Sequence, residues 1–299
     1  MRTRDRLAAY AADGLHRPPA DGSRRVPVSL RVEPTGGVAC GRHPARRRPT
    51  NKLDFSRELV GRRALVTGGT RGIGAAIAQR LLDAGAQVVV TARSRGDSSP
   101  AGATFVAGDV ASVAGVQAIA AAALGALGGL DILVNNAGGA GGFPQGTASI
   151  PEEAWQASFS LNLFAAIRLT NALLPALRES QAGAIVNISS GAATMPIGSI
   201  AHYGAAKAAL NSYSRSLALD VAPSKLRVNV VSPGPVTTPG SRAFSDALGV
   251  PPDLFAKDLP LRRYGAPEDV AEVVALLVSD RGKWMTGANV NVDGGLSVR

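Results

Sequence analysis

Cysteine is almost missing from this chain. Cys40 is the only one in 299 residues, which excludes an internal disulfide and any cysteine-based zinc site. Aromatic residues make up 4% of the sequence, so its core must be built from aliphatic side chains and alanine. The longest apolar runs are short and broken by glycine or polar residues, so no membrane span is expected. The N-terminus lacks the apolar h-region of a secretory signal, and a cytoplasmic location is the default expectation. Lysine is scarce too, with five in the chain.

Basic charge is plentiful but unevenly placed. Residues 1–52 hold 12 Lys+Arg against 4 Asp+Glu, whereas residues 53–299 hold 20 against 18. The excess therefore belongs to a leader that contains Arg24-Arg25, Arg46-Arg47-Arg48, several prolines and no periodicity. Such a stretch reads as a disordered tail. Nucleic-acid binding is the sharper alternative, but the leader lacks interleaved aromatics, so no nucleic-acid partner is expected.

From about Leu53 the pattern becomes regular. Short β-branched runs at Ala64–Thr67, Val88–Thr91, Thr104–Val106, Ile132–Asn135, Ala184–Ser189, Arg227–Val231 and Asn289–Val292 read as strands. Ala/Leu-rich stretches near 73–84, 112–127, 151–179, 203–221 and 267–280 read as helices. Ser149 and Glu152 have capping-box spacing ahead of the third helix. Strands alternating with helices imply parallel βαβ units. The expected fold is α/β: one Rossmann-type, doubly wound domain over 53–299, its seven-stranded, mostly parallel sheet flanked by helices. Ligands of such sheets bind beyond the carboxyl ends of the strands.

Every chemistry-bearing motif falls at those ends. After the first strand comes Thr67-Gly68-Gly69-Thr70-Arg71-Gly72-Ile73-Gly74, opening a helix. Its glycines permit a tight turn and close approach of a pyrophosphate, and the helix start offers free N–H groups. Gly68, Thr70, Arg71, Gly72, Ile73 and Gly74 are thus candidate cofactor contacts. The second strand ends Thr91-Ala92-Arg93-Ser94, without the carboxylate that would bind a ribose 2′-hydroxyl. Arg71 and Arg93 instead favour a 2′-phosphate, so NADP(H) is expected over NAD(H), with Arg93 and Ser94 at that end. Asp109-Val110 after the third strand and Asn136-Ala137-Gly138 after the fourth would wall the same cleft.

The fifth strand ends Asn187-Ile188-Ser189-Ser190, and Tyr203-Gly204-Ala205-Ala206-Lys207 follows on a helix. Positions i and i+4 share a helix face, so an ammonium sits beside a phenol. Of four tyrosines only Tyr203 has a lysine at that spacing. An ordinary phenol pKa is near ~10, and bringing it to ~7 needs about 4 kcal/mol. One ammonium at ~4 Å supplies about that much at an effective dielectric of 20. Lys207, helped by the positive nicotinamide of the oxidised cofactor, is therefore expected to lower the Tyr203 pKa in a partly dry cleft. After the sixth strand come Pro233-Gly234-Pro235-Val236-Thr237-Thr238.

Together, TGGTRGIG, NNAG, NISS, YGAAK and the Pro-Gly turn resemble the short-chain dehydrogenase/reductase family, over roughly residues 59–296. The resemblance is to its Tyr-x3-Lys branch and to 3-oxoacyl-carrier-protein-reductase-like oxidoreductases, not to the branch with a longer Tyr–Lys spacing. It implies a catalytic tetrad of Asn162, Ser190, Tyr203 and Lys207, with Ser189 the competitor for the serine role. In the family reading Tyr203 donates the proton, Lys207 also holds the nicotinamide ribose, Ser190 polarises the substrate oxygen and Asn162 holds a relay water. Pro233, Gly234, Val236 and Thr238 join Tyr203 and Lys207 as cofactor contacts. No metal is implied. A homodimer or homotetramer, pairing through the helices that hold Tyr203 and Thr170, is implied by resemblance alone.

The expected reaction is hydride transfer between NADP(H) and a carbonyl or secondary alcohol. Two alternatives stand beside it: a catalytically silent NADP-binding regulator, and an NAD-dependent sugar or steroid dehydrogenase of the same fold. Residues 238–267, rich in Pro and Gly, read as an irregular lid over a small-molecule substrate, with Phe244, Leu254 and Phe255 as candidate wall residues. Gly139–Gly142 would form a flexible second rim.

Overall fold

A computed structural model describes residues 55–298 apart from 97, 248, 250 and 252–255. The basic leader lies outside the described residues, as do Leu254, Phe255 and the side chain of Phe244.

Seven strands form one sheet: β1 (Arg63–Thr67), β2 (Gln87–Ala92), β3 (Thr104–Ala107), β4 (Ile132–Asn135), β5 (Ala184–Ile188), β6 (Arg227–Pro233) and β7 (Asn289–Val292). Their order is β3-β2-β1-β4-β5-β6-β7. Every pairing is parallel, so the doubly wound architecture is present. The order reverses between β1 and β4, which makes their carboxyl ends the switch point where such sheets bind ligands.

The helices are α1 (Gly72–Asp83), α2 (Val113–Leu127), α3 (Glu152–Phe159), α4 (Ala165–Glu179), α5 (Ala201–Val221), α6 (Pro239–Ala247) and α7 (Pro267–Val278). Local chemistry sets several ends. Ser112 Oγ accepts from Gly115 N at 3.0 Å and caps α2, which stops at Gly128 in the left-handed region, φ 67°. Asp269 accepts from Ala266 N at 2.8 Å at the start of α7.

β1, β4 and β5 are buried on both faces, as a sheet covered by helices on both sides requires. One face packs Ile77 and Leu81 of α1 with Val270, Val274 and Leu277 of α7. The other packs Ile119 of α2 with Leu169, Leu173 and Leu177 of α4 and Leu217 of α5. A Leu or Ile fully buried in this way stabilises the fold by about 1.5–3 kcal/mol.

Three local expectations are corrected. The capping box at Ser149 and Glu152 is not formed. Ser149 Oγ donates to Gly146 O at 2.7 Å, and α3 starts after Pro151 with no side-chain cap. The expected single helix over 151–179 is interrupted by a π-helical turn, Ser160–Phe164. The segment after Thr238 is not irregular throughout, because Pro239 opens α6. Thr238 Oγ1 accepts from Ser241 N at 3.0 Å while Ser241 Oγ accepts from Thr238 N at 2.9 Å, so a reciprocal cap offsets the poor helix propensity of Gly240.

The stretch Glu152–Glu179, with mean hydropathy 1.3 in its most apolar window, is long and apolar enough to cross a membrane by length and composition. Leu169, Leu173 and Leu177 of that stretch are buried in the fold.

Candidate active site

The glycine turn is built by exclusion of side chains. Gly68 and Gly72 take positive φ, 62° and 54°, which L-residues rarely adopt. A β-carbon at Gly69 would stand 2.6 Å from Val90 Cγ1, and one at Gly74 would collide with Gly68 O. The turn therefore lies against the sheet with its backbone outward. Arg71 precedes α1 without a side-chain cap, so the first-turn N–H groups have no competing side-chain acceptor. This cradle fits a pyrophosphate.

Asn136 holds the turn in place. Its Nδ2 donates to Thr67 O at 2.9 Å and to Gly68 O at 3.2 Å, and its N–H donates to Thr67 Oγ1 at 3.0 Å. Ala137 N donates to the same Thr67 hydroxyl at 2.9 Å. Thr238 approaches from β6, since a β-carbon at Gly72 would lie 3.3 Å from Thr238 Cβ. Gly68, Gly72, Gly74, Asn136, Ala137 and Thr238 thus meet around one turn.

The other cofactor candidates are more dispersed. Thr70 is buried, and Ile73 packs on the core. Arg71, Arg93 and Ser94 are exposed, and neither arginine has an ion-pair partner among the described residues. Asp109 Oδ1 accepts from Ala111 N at 2.9 Å, fixing its own turn, and Val110 is buried. Gly234 packs so closely on Asp293 that a β-carbon would stand 2.7 Å from its Cα, and Val236 is buried after the Pro233-Gly234 turn.

The four tetrad candidates converge beside this cleft. Tyr203 lies in the first turn of α5 and Lys207 one turn later. Lys207 is 3% exposed, and its Nζ donates to Ile188 O at 2.8 Å, 5.7 Å from the Tyr203 ring centre. The Ser190 hydroxyl favours the Tyr203 phenolate and caps the 3₁₀ turn Gly191–Ala193, accepting from Ala192 N at 3.2 Å. Ser189 Oγ instead donates to Lys207 O at 3.3 Å. The hydroxyl against the phenol therefore belongs to Ser190.

Asn162 sits in the π-helical turn and is 2% exposed. Its Oδ1 accepts from Gly139 N at 3.0 Å, and its Nδ2 donates to Gly139 O and Ser158 O, both at 3.0 Å. A β-carbon at Gly138 would lie 2.7 Å from Asn162 Oδ1 and 3.2 Å from Lys207 Nζ. Asn162 and Lys207 thus both close on Gly138, where a β-carbon would force one of them to move.

Electrostatics here differ from expectation. Burial pushes the Tyr203 phenol above its ordinary value, and the Ser190 hydrogen bond only partly opposes this. Burial also lowers Lys207 to about 8. The expected lowering of Tyr203 by Lys207 is thus reversed in the protein alone, because removing both groups from water disfavours phenolate and ammonium alike. No group of three or more His, Cys, Asp or Glu side chains among the described residues could hold a metal ion.

Sequence reading also missed the role of Gly138 and Gly139 as the seat of Asn162, and a buried amide pair, Asn135 and Asn187, beneath the site. The signal for the pair was available, as both are polar residues closing apolar runs.

A family model described as "Enoyl-(Acyl carrier protein) reductase" matches residues 68–297. The chain is 38% identical to L-xylulose reductase of Bos taurus over 244 residues, 79% of this chain and 97% of that one. It is 36% identical to the 3-oxoacyl-[acyl-carrier-protein] reductase FabG of Escherichia coli K12 over 242 residues, again 79% and 97%. The chain belongs to the short-chain dehydrogenase/reductase family. It is accordingly an oxidoreductase of a family that binds nicotinamide cofactors. Solved members superpose on it. Ligand-free aldohexose dehydrogenase of Thermoplasma acidophilum gives a TM-score of 0.76 at 32% identity, covering 82% of this chain and 97% of that one. The Pseudomonas aeruginosa RhlG/NADP active-site complex gives 0.73 at 36%, covering 81% and 99%.

Proposed function

We propose that this protein is an NADP(H)-dependent carbonyl reductase or alcohol dehydrogenase in which Tyr203 is the acid/base. The observation that carries the reading is the buried Lys207, anchored on Ile188 O and set 5.7 Å from the Tyr203 ring centre. When bound, the nicotinamide supplies or accepts the hydride.

The protein's own groups handle the proton. Ser190 and the Tyr203 hydroxyl together present two hydrogen-bonding groups to a substrate carbonyl oxygen. As charge develops on that oxygen, Tyr203 gives up its proton, and the nearby Lys207 ammonium stabilises the phenolate left behind. Lys207 has donors left beyond its bond to Ile188 O, and these would hold the nicotinamide ribose. Asn162 Oδ1, which accepts one hydrogen bond from Gly139 N, has capacity for a second and would hold the relay water. The glycine turn would bind the pyrophosphate, with Asp109, Val110 and Ala137 along the adenosine and Pro233, Gly234 and Val236 along the nicotinamide. Arg71 and Arg93, unpaired and exposed, would receive the 2′-phosphate. The NADP named for the RhlG complex supports that choice. α6 would form part of a lid, and the residue 1–52 leader would lie outside the catalytic domain.

The substrate would be a small carbonyl compound or alcohol. L-xylulose and aldohexoses, named for two similar proteins, favour a sugar; the carrier-protein reductases favour a ketoacyl thioester. A cytoplasmic homodimer or homotetramer is the expected setting.

NADPH oxidation over a carbonyl panel tests the reading. Tyr203→Phe should abolish turnover and retain NADPH binding; parent-like turnover would refute the mechanism. NADPH should exceed NADH in kcat/KM, and Arg93→Asp should narrow the gap; an NADH preference in the parent would refute the cofactor assignment.

A further inference from the structure

We propose that Asn135 and Asn187 form a positioning hub that fixes the two helices of the tetrad to each other, with Ser214 and Thr170 as its outlets. The proposal rests on the tetrad reading above.

The hub lies between the last residue of β4 and the penultimate residue of β5, where Asn135 and Asn187 are register partners. Asn135 is 6% exposed, Asn187 and Thr170 are 0%, and Ser214 is 1%. Polar groups in such a core must be paired to be tolerated, and here the donors run in one ordered chain. Asn135 Nδ2 donates to Thr170 Oγ1 at 3.2 Å and to Asn187 Oδ1 at 2.8 Å. Asn187 Nδ2 donates to Ser214 Oγ at 2.8 Å, and Ser214 Oγ donates to Leu210 O at 2.6 Å.

The end points give the chain its meaning. Thr170 belongs to α4, which continues directly from the turn that holds Asn162. Ser214 belongs to α5, two turns beyond Lys207 on the same face. Three successive residues at the end of β5 grip α5. Asn187 binds Ser214, Ile188 O accepts from Lys207 Nζ, and Ser189 Oγ donates to Lys207 O. Two of these grips act at Lys207 itself. Further along, the helix is held by the Asn187–Ser214 bond and by the apolar packing of Leu217 and Val221. Without that bond every directional tie from the end of β5 to α5 acts at Lys207, and the angle of Tyr203 to Ser190 and Asn162 is less closely set. Packing by Val or Leu would fill the space without setting that angle, since apolar contacts are not directional.

Misplacement of about 1 Å costs roughly a hundredfold in rate, so the hub should show in kcat more than in binding. The test uses the full chain with NADPH and any carbonyl it reduces. Ser214→Ala, a substitution that suits a helix, should lower kcat roughly 10- to 100-fold. NADPH affinity should be unchanged, and the primary isotope effect with 4-deuterated NADPH should grow. Ser214→Thr, which keeps the hydroxyl, should recover turnover. Asn187→Leu should match Ser214→Ala, and the double variant should lose no more than either alone. Leu81→Ala, in the opposite core, is the control; it should lose thermal stability and keep kcat. Parent-like kcat in Ser214→Ala, or a kcat loss in Leu81→Ala that tracks its stability, overturns the hub alone. A parent that turns over no carbonyl overturns the tetrad reading and the hub with it.

Discussion

Replacing Lys207 by Met should make the protein more stable at neutral pH while destroying its activity. Lys207 is 3% exposed, and burial lowers its pKa from 10.5 to about 8. At about 1.4 kcal/mol per pH unit, that gap is a penalty of about 3 kcal/mol carried by the charged folded state. Methionine fills the same space without a charge to desolvate. It gives up the hydrogen bond to Ile188 O, a net contribution of about 1 kcal/mol. The expected gain is therefore about 2 kcal/mol at pH 7, which raises the melting temperature by roughly 4–8 °C in a domain of this size. The sign with pH follows from linkage. Between about 8 and 10.5 the unfolded chain holds more protons at this site than the folded one, so the parent gains stability as pH rises. The penalty is fully present below about 8 and gone above 10.5. Parallel urea or thermal melts of parent and variant across this range read the difference, and groups common to both cancel. A difference that does not change with pH, or a less stable variant at pH 7, would refute the reasoning.

Three other perturbations probe the same architecture. Gly138→Ala should fold but lose kcat by roughly a hundredfold or more, because its β-carbon would force apart Asn162 Oδ1 and Lys207 Nζ; parent-like kinetics would show the gap is not needed. The kcat/KM for carbonyl reduction should fall as pH rises through about 8, where free Lys207 loses its proton; a profile flat to about pH 9.5 would remove Lys207 from that role. Asp131→Asn should cost about 2–4 kcal/mol. Asp131 accepts from Arg63 N and Nε, both at 2.9 Å, from Arg63 Nη2 at 3.1 Å and from Ser180 Oγ at 2.6 Å. Burial pushes this carboxyl up, but the Arg63 and Ser180 hydrogen bonds outweigh it and leave it low. Its stabilisation is therefore present above the ordinary carboxylate pKa and lost as pH falls through the folded value. The parent's lead over Asp131→Asn should shrink in acid, and a lead that grows there would be inconsistent with this account.

Much of this molecule was legible in sequence because its signals are local. Each strand run ends within about two residues of the observed strand, since β-branched stretches bounded by glycine or polar residues permit little else. The Tyr203–Lys207 pair was legible because the two are one helical turn apart, whereas Asn162 and Ser190 entered through the family resemblance. What escaped reading depends on closure between distant segments. The π-helical turn at Asn162 leaves no mark in apolar spacing. α6 was hidden by Pro239 and Gly240, and its reciprocal Thr238–Ser241 cap outweighs their propensity. Ser190 over Ser189 was legible only through the resemblance, whose spacing to Tyr203 favours Ser190. The direction of the Tyr203 pKa needed burial, which charge spacing alone does not supply.

The turn Ser160–Phe164 makes the placement of Asn162 a matter of counting. Removing one residue would let this wide turn relax to the ordinary winding. The flanking turns would keep their alignment, because the wide turn absorbs one extra residue, but the residues within it would be re-aimed. Asn162 would leave Gly139, although every neighbouring residue type survived. The rim at Gly139–Gly146, being loop, can absorb a change of length. Ser160–Phe164 cannot, so the chain measures its active site here in residue number as strictly as elsewhere it does in residue type.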